Sequence, residues 1–396
     1  MRKIYLDNSA TTPVDKQVFN EMKPYFLEKY GNASEFHELG RTAKIALEKS
    51  RKIVADFLGA QKEEIIFTGS ATESINLSHK GLVEALLDNS NLKKVHIITS
   101  SIEHKAVLET LNHLEKIKSA EVTLLPVNKY GRIDVASLKK VIKTNTVLVS
   151  IMYANNEIGT IQPIKEVGDL LKKINKKRKQ KIYFHTDATQ ATNYLDCNVN
   201  SLGVDLLSFS GHKIYAPKGI GILYLRKNTP LVAQMDGGSQ EKGIRSGTEN
   251  IAYIVGISEA VKLVNKHKKD FKNIEKLRDL LIKGILRKIE DVTLTGDPVN
   301  RIPSVASFIV DGIEGESMIL LLSEKGIYVS SGSACTSDKL TPSHVLISMG
   351  IDIISSHSSI RFSLGRNTKR EDIDYVLEVF PDIVKKLRLM SPIYKK

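Results

Sequence analysis

Residues 60–226 alternate apolar runs with amphipathic stretches, and that alternation restricts the possible folds more than any other feature of the chain. The runs EEIIF, VHIITS, VTLLPV, TVLVSI, KIYFH, DLLSFS and GILYL show little period-2 alternation. Strands apolar on both faces belong to a mainly parallel sheet covered by helices on each side. The intervening stretches, such as 73–87 and IKEVGDLLKKIN, carry apolar residues at helical spacing. The expected class is therefore α/β. Ligands of such sheets sit beyond the carboxyl ends of the strands. Polar clusters fall just after strands here, at 70–72, 103–104, 155–156, 187–190 and 210–213. One shared site accounts for that regularity.

From Tyr253 onward a long helical segment leads out of this region, followed by VASFIV, ESMILLLSEKG, IYVSSG, IRFSLG and a last helix. These predict a second, smaller α+β domain, with the N-terminal arm packed against it. The expected division is 15–260 for the large domain and 1–14 plus 261–396 for the small one. At the other end, the spacing predicts a helix over 15–27 and another over 41–58 that stops at Gly59.

Composition closes several routes. No apolar run approaches the ~20 residues that span a bilayer, and the N-terminus MRKIYLDNSATT has no signal-peptide h-region. A cytoplasmic protein with no membrane contact is expected. Two cysteines, Cys197 and Cys335, make neither a disulfide framework nor a four-cysteine zinc site, and no metal site is expected. The net charge of +13 comes mostly from lysines scattered on helical faces, as in KKINKKRKQK. No helix-turn-helix, zinc-finger or RNP-type motif accompanies it, so no direct nucleic-acid partner is expected.

Each polar cluster has a plain reading and a chemical one. SFSGHKIYAPKGIG holds Lys213 between two strands. Alone it reads as a surface turn. A desolvated lysine, however, is a usable amine that forms Schiff bases with carbonyls, pyridoxal phosphate among them. Ser210 and His212 are placed to touch a phosphate. SATES starts a helix after a strand, where backbone N–H groups and Thr72 suit a phosphate; Ser70 and Glu73 equally suit a capping box. HTDATQA puts Asp187 at a strand end, either as an Asx turn or as the partner of a protonated pyridine nitrogen, with Gln190 in reach of a ring hydroxyl. His104 either starts a helix or stacks on an aromatic cofactor and handles protons. Arg361, in SSIRFSLGR, makes a structural ion pair or grips a substrate carboxylate. Thr248, in GIRSGTEN, is a further phosphate candidate. VSSGSACTSDKLTP has the composition of a mobile loop and carries Cys335, a candidate reactive thiol. Cys197 reads as a small packing residue.

In chain order, YLDNSATT, YGNASEFHELG, SATES, SSIEHKAVL, ANNEIGT, HTDATQA, SFSGHK, RSGTEN, SSGSACTS and IRFSLGR resemble the motifs of one family. It is that of cysteine desulfurases of the iron–sulfur-cluster-assembly type, fold type I pyridoxal-phosphate enzymes of the class V aminotransferase branch. The resemblance runs over essentially the whole chain. It implies a seven-stranded-type, mainly parallel sheet in the large domain. It implies pyridoxal 5'-phosphate as cofactor, with Lys213 as its Schiff-base lysine. Asp187 is implied at the pyridine nitrogen, Gln190 at the ring oxygen and His104 against the ring. Ala71, Thr72, Ser210 and His212 are implied phosphate contacts. Thr248 would reach the phosphate of a neighbouring subunit, which implies a homodimer. Asn156 and Arg361 would position L-cysteine, and Cys335 would take its sulfur as a persulfide, with a transient iron–sulfur ligand as a further possible role. The long loop around Cys335 is the type that hands sulfur to a scaffold or other acceptor protein, for cluster assembly or tRNA thiolation. The chain departs from the family pattern at Ser9, Ala33 and Ser239. The alternatives are a selenocysteine lyase or another lyase or aminotransferase of this fold, and a non-catalytic partner-binding scaffold.

Overall fold

The computed structural model describes residues 2–88, 93–332, 341–392 and 394. After a short strand β1 (Ile4–Tyr5), the alternating region supplies β2 (Ile65–Thr68), β3 (Val95–Ser100), β4 (Ala120–Leu125), β5 (Thr146–Ser150), β6 (Tyr183–Asp187), β7 (Leu206–Ser210) and β8 (Gly221–Leu225). Among the described residues these seven from β2 onward form one sheet in the order β2-β8-β7-β6-β5-β3-β4. The pairs β3–β4, β3–β5, β5–β6 and β6–β7 are parallel, while β8 is antiparallel to both β7 and β2. Parallel neighbours need a long crossover, but an antiparallel pair can be joined by a short return. The return from β7 to β8 is residues 211–220, the stretch that carries Lys213.

The sheet is covered twice, which is why its strands lack alternation. Ile66, Ile97, Leu148 and Leu223 face the helices Ala71–Asp88 and Lys105–Lys116 through Leu82, Val107 and Leu111. Phe67, Ile98, Val149 and Phe209 face the other way, into a cluster with Leu47, Val54, Leu171 and Ile257. Burying each such side chain contributes about 1.5–3 kcal/mol. The helix Glu38–Leu58 is capped by His37, whose Nδ1 accepts from the Gly40 N–H at 3.2 Å, and ends at Gly59 in the left-handed conformation, φ 66°.

A separate cluster gathers Ile4, Leu6, Leu281, Phe308, Phe362 and Phe380. It is built on β9 (Val292–Leu294), β10 (Val305–Val310), β11 (Ile327–Tyr328) and β12 (Ser359–Ser363). The order β12-β10-β9 is antiparallel, and β1 pairs in parallel with β11. The N-terminal arm thus lies on the C-terminal part of the chain.

Three elements differ from expectation. The helix predicted over 15–27 is two, Lys16–Met22 and Pro24–Leu27, because Pro24 has no N–H to continue the ladder. The long segment after Tyr253 is also two helices, Ile251–Lys266 and Phe271–Lys288, with a 3-10 turn at Lys268–Asp270 where KHKKD offers no apolar face. The three-residue β9 is too short to show a period. No helix among the described residues is long and apolar enough to cross a membrane.

Candidate active site

The polar strand ends do converge. A cavity of about 300 Å³ is lined by Ala71, Thr72, His104, Asn156, Asp187, Gln190, Ser210, His212, Lys213 and Arg361, together with Ser9, Met152, Thr189 and others. Thr248 is exposed and is not among the lining residues. Cys335 lies outside the described residues.

Lys213 sits in the 3-10 turn Gly211–Lys213 that directly follows β7. Its Nζ donates to the carbonyls of Ser9 and Ala10 at 2.5 and 2.6 Å. The Gln190 amide donates to the same Ser9 carbonyl at 3.0 Å. His212 Nδ1 lies 3.1 Å from Thr11 Oγ1, and burial with the Lys213 and Lys218 cations pushes its imidazole down to about 4. The N-terminal motif therefore forms one wall of the site, and the Ser9 departure acts there through its backbone.

At the start of the helix Ala71–Asp88 the capping reading of SATES holds. Ser70 Oγ accepts from the Glu73 N–H at 3.1 Å, and Glu73 Oε2 accepts from the Gly69 N–H at 2.7 Å. Ala71 and Thr72, the first residues of the helix Ala71–Asp88, line the cavity, and first-turn N–H groups have no intrahelical partner. A Cβ at Gly221 would stand 2.4 Å from the Ser70 carbonyl carbon, so glycine there lets this turn rest on the start of β8 beside Ser210.

Asp187 ends β6, is 6% exposed, and accepts from the Thr189 N–H at 2.9 Å. His104 is both a cap and a cavity wall: its Nδ1 accepts from the Ala106 N–H at 3.1 Å. Asn155 is consumed locally. Its Nδ2 donates to the Ile102 carbonyl at 3.0 Å and its Oδ1 accepts from Glu157 and Ile158. Asn156 is the one that lines the cavity, and its carbonyl accepts from Arg361 Nη1 at 3.0 Å. Arg361 on β12 also pairs with Asp7 at 2.8 Å, so the structural reading of this arginine holds, and it lines the cavity as well.

Sequence reasoning assigned no role to Asp7, Glu103 or Glu157. Glu103 accepts from Ser100 Oγ at 2.6 Å and from the Met152 N–H, and burial pushes its carboxyl up to about 8. Glu157 accepts from Ser343 Oγ at 2.5 Å, and burial pushes it up to about 7. Glu103 falls in a polar cluster after a strand, which was the available signal; Asp7 carried none. Cys197 is buried, and burial pushes its thiol up to about 12, as suits a packing residue.

These residues fit pyridoxal phosphate. They offer a helix start and Ser210 for a phosphate, a buried carboxylate for a ring nitrogen, and an amine in the same cavity. Two cavity-lining polar atoms, Thr189 Oγ1 and Arg361 Nε, are buried with no hydrogen-bond partner among the described residues.

Known proteins agree with that chemistry. Residues 4–376 match the family described as Aminotransferase class-V. The cysteine desulfurase IscS of Dictyoglomus turgidum is 46% identical over 396 residues, covering 100% of this chain and 98% of its own. A solved NifS-like protein superposes with a TM-score of 0.89 at 38% identity, covering 98% of this chain and 100% of its own. SspA, solved in complex with cysteine, superposes with a TM-score of 0.78 at 36% identity, covering 91% and 99%. With a match of that length and relatives of that identity, the chain belongs to the class-V aminotransferase family.

Proposed function

We propose that this cavity converts L-cysteine to L-alanine and delivers the sulfur to Cys335 as a persulfide. The chain is a pyridoxal-phosphate-dependent cysteine desulfurase, the activity named for its relatives. The observation that carries the reading is the meeting of Lys213, Asp187 and Arg361 in one cavity, from segments far apart in the chain.

When bound, pyridoxal phosphate supplies an electron sink for charge developing on the substrate. The chain supplies the rest. Ala71, Thr72, Ser210 and His212 would hold the phosphate, Asp187 would keep the ring nitrogen protonated, and Gln190 and His104 would hold the ring. Lys213 Nζ would tether the cofactor, and its amine takes the substrate α-proton and returns it to the same carbon. Arg361 grips the substrate carboxylate, and Asn156 borders the same space. The Cys335 thiolate attacks the substrate sulfur. An S–S bond forms, the C–S bond breaks with its pair left on the substrate carbon, and a proton taken up there completes alanine. The persulfide is then open to a partner thiol.

Thr248 belongs to the site of a second copy in this reading, and the protein works as a homodimer. Its exposure supports this, as does the anchoring of its loop. Glu241 accepts from Arg51 at 2.7 and 2.8 Å and from the Phe67 N–H at 3.0 Å, and Arg245 pairs with Glu73 at 2.8 Å. The sulfur acceptor is an iron–sulfur scaffold or another acceptor protein in the cytoplasm. The two units 15–260 and 1–14 with 261–396 meet at the site.

The test is product analysis. Purified protein loaded with pyridoxal phosphate is given L-cysteine or L-selenocysteine, and alanine is quantified. Turnover of cysteine supports the reading. Alanine from selenocysteine alone would make the protein a selenocysteine lyase, and none from either would leave another lyase or aminotransferase of this fold, or a scaffold.

A further inference from the structure

Directly beneath the cavity lies a second row of polar side chains. Asp187 on β6 and Ser210 on β7 line the cavity, as does Met152 just past the end of β5, and two residues earlier stand His185, Ser208 and Ser150, the last residue of β5. Residues i and i+2 of a strand share a face, so this row is the next layer down. On the covering helix, Ile75 lines the cavity and His79 follows one turn later. All four side chains, His79, Ser150, His185 and Ser208, are 0% exposed.

They form one unbroken chain. His79 Nδ1 is 2.8 Å from the Ile75 carbonyl and Nε2 is 2.9 Å from Ser150 Oγ. Ser150 Oγ is 2.9 Å from His185 Nδ1, and His185 Nε2 is 3.0 Å from Ser208 Oγ. The two rings meet edge to face at 4.6 Å. Burial pushes His79 down to about 4 and, with His79 beside it, His185 well below its ordinary value. Both imidazoles are thus neutral near neutral pH.

Neutrality leaves one order of protons. A carbonyl can only accept, so His79 carries its proton on Nδ1; Ser78 Oγ, 3.0 Å away, shares that donor. Nε2 of His79 must then accept from Ser150, whose oxygen accepts from His185 Nδ1–H, whose Nε2 accepts from Ser208. Every donor points from β7 toward the helix. Aligned, fully satisfied chains reinforce one another, and a half-satisfied one is costly. An apolar layer would hold the helix to the sheet without fixing its position along the strands.

We propose that this row is a positioning element of the cofactor site: it keys the helix that begins at Ala71 to β6 and β7, and so fixes the spacing between the phosphate contacts and Asp187. The proposal rests on the reading that Ala71, Ser210 and Asp187 hold pyridoxal phosphate.

The experiment compares His79→Leu, His79→Gln and Asp187→Asn with the parent. The Gln side chain can still accept from Ser150; Leu cannot. His79→Leu leaves a buried hydroxyl unpaired and should weaken pyridoxal-phosphate binding about tenfold. It should also shift the visible circular dichroism of the bound cofactor. His79→Gln should restore both. Nitrogen NMR of labelled histidine should show both imidazoles as neutral Nδ1–H tautomers between about pH 6 and 8. Parent-like binding and dichroism in His79→Leu, a melting-temperature loss shared by Leu and Gln with no cofactor effect, or an Nε2–H tautomer at either ring would each overturn the proposal. If Asp187→Asn leaves cofactor binding and spectrum unchanged, the reading of the site fails instead. Should His79→Leu not fold, Ser208→Ala removes the donor at the far end, and the same measurements decide.

Discussion

Asp7 and Arg361 form an ion pair, Oδ1 to Nη2 at 2.8 Å, across 354 positions of sequence. It ties the N-terminal arm to β12 at the cavity wall. With Nη1 held by the Asn156 carbonyl at 3.0 Å, the guanidinium has one orientation. A lysine cannot reproduce that fork. Arg361→Lys should raise KM for cysteine by about tenfold or more while cofactor affinity stays near the parent's. Asp7→Asn should raise KM less, because the carbonyl contact survives. Steady-state kinetics with a cofactor titration checks both, and an unchanged KM in Arg361→Lys would remove the substrate role.

Lys213 lines the same cavity as Asp187, Ala71, Thr72 and Ser210. Borohydride reduction of the loaded protein should fix the cofactor covalently to Lys213. Lys213→Ala should lose that covalent link and its turnover. Peptide mapping decides, and reduced cofactor on any other lysine would end the assignment.

The sequence made the local parts of the site legible. Asp187 ends a strand, His104 and Lys213 follow strand ends, and strand ends show in apolar runs. The parts that depend on distant backbone stayed hidden. Lys213 reaches the Ser9 carbonyl across 204 positions, and a carbonyl leaves no trace in residue type. Asp7 reads as one polar residue in a short arm until β1 pairs with β11 and carries it to Arg361. Adjacent asparagines look alike, yet Asn155 is spent on its own turn while Asn156 lines the cavity. Thr248, which the family resemblance assigns to the phosphate of a neighbouring subunit, stands outside this chain's own cavity.

Glu103 gives a prediction about pH. Its oxygens face the Ser100 hydroxyl and the Met152 N–H, with Asp187 nearby, and burial pushes its carboxyl up to about 8. The folded state therefore keeps a proton that the unfolded chain releases at ordinary carboxyl pKa values. Stability on this account is full in acid and falls as pH rises through about 8. Glu103→Gln cannot ionise and should remove that part of the slope. Melting temperatures of parent and variant at several pH values check this. Relative to the parent, the variant should gain as pH rises. Parallel curves would show that Glu103 ionises alike in both states.

The last prediction separates the two cysteines. Cys197 is 1% exposed and its thiol is pushed up to about 12 by burial, so very little of it is thiolate near neutral pH. The thiolate is the nucleophile, which leaves Cys335 to receive sulfur. Alkylation should therefore label Cys335 first, with activity lost in step, while Cys197 reacts only on unfolding. Cys335→Ser should still bind cofactor and cysteine, since Lys213, Asp187 and Arg361 are untouched. It should nevertheless fail to release alanine at a useful rate, because no thiolate remains to take the sulfur. After one turnover, mass spectrometry of the parent should find one added sulfur on the peptide that contains Cys335. Added sulfur on Cys197, or alanine from Cys335→Ser at the parent rate, would show that a different group accepts the sulfur.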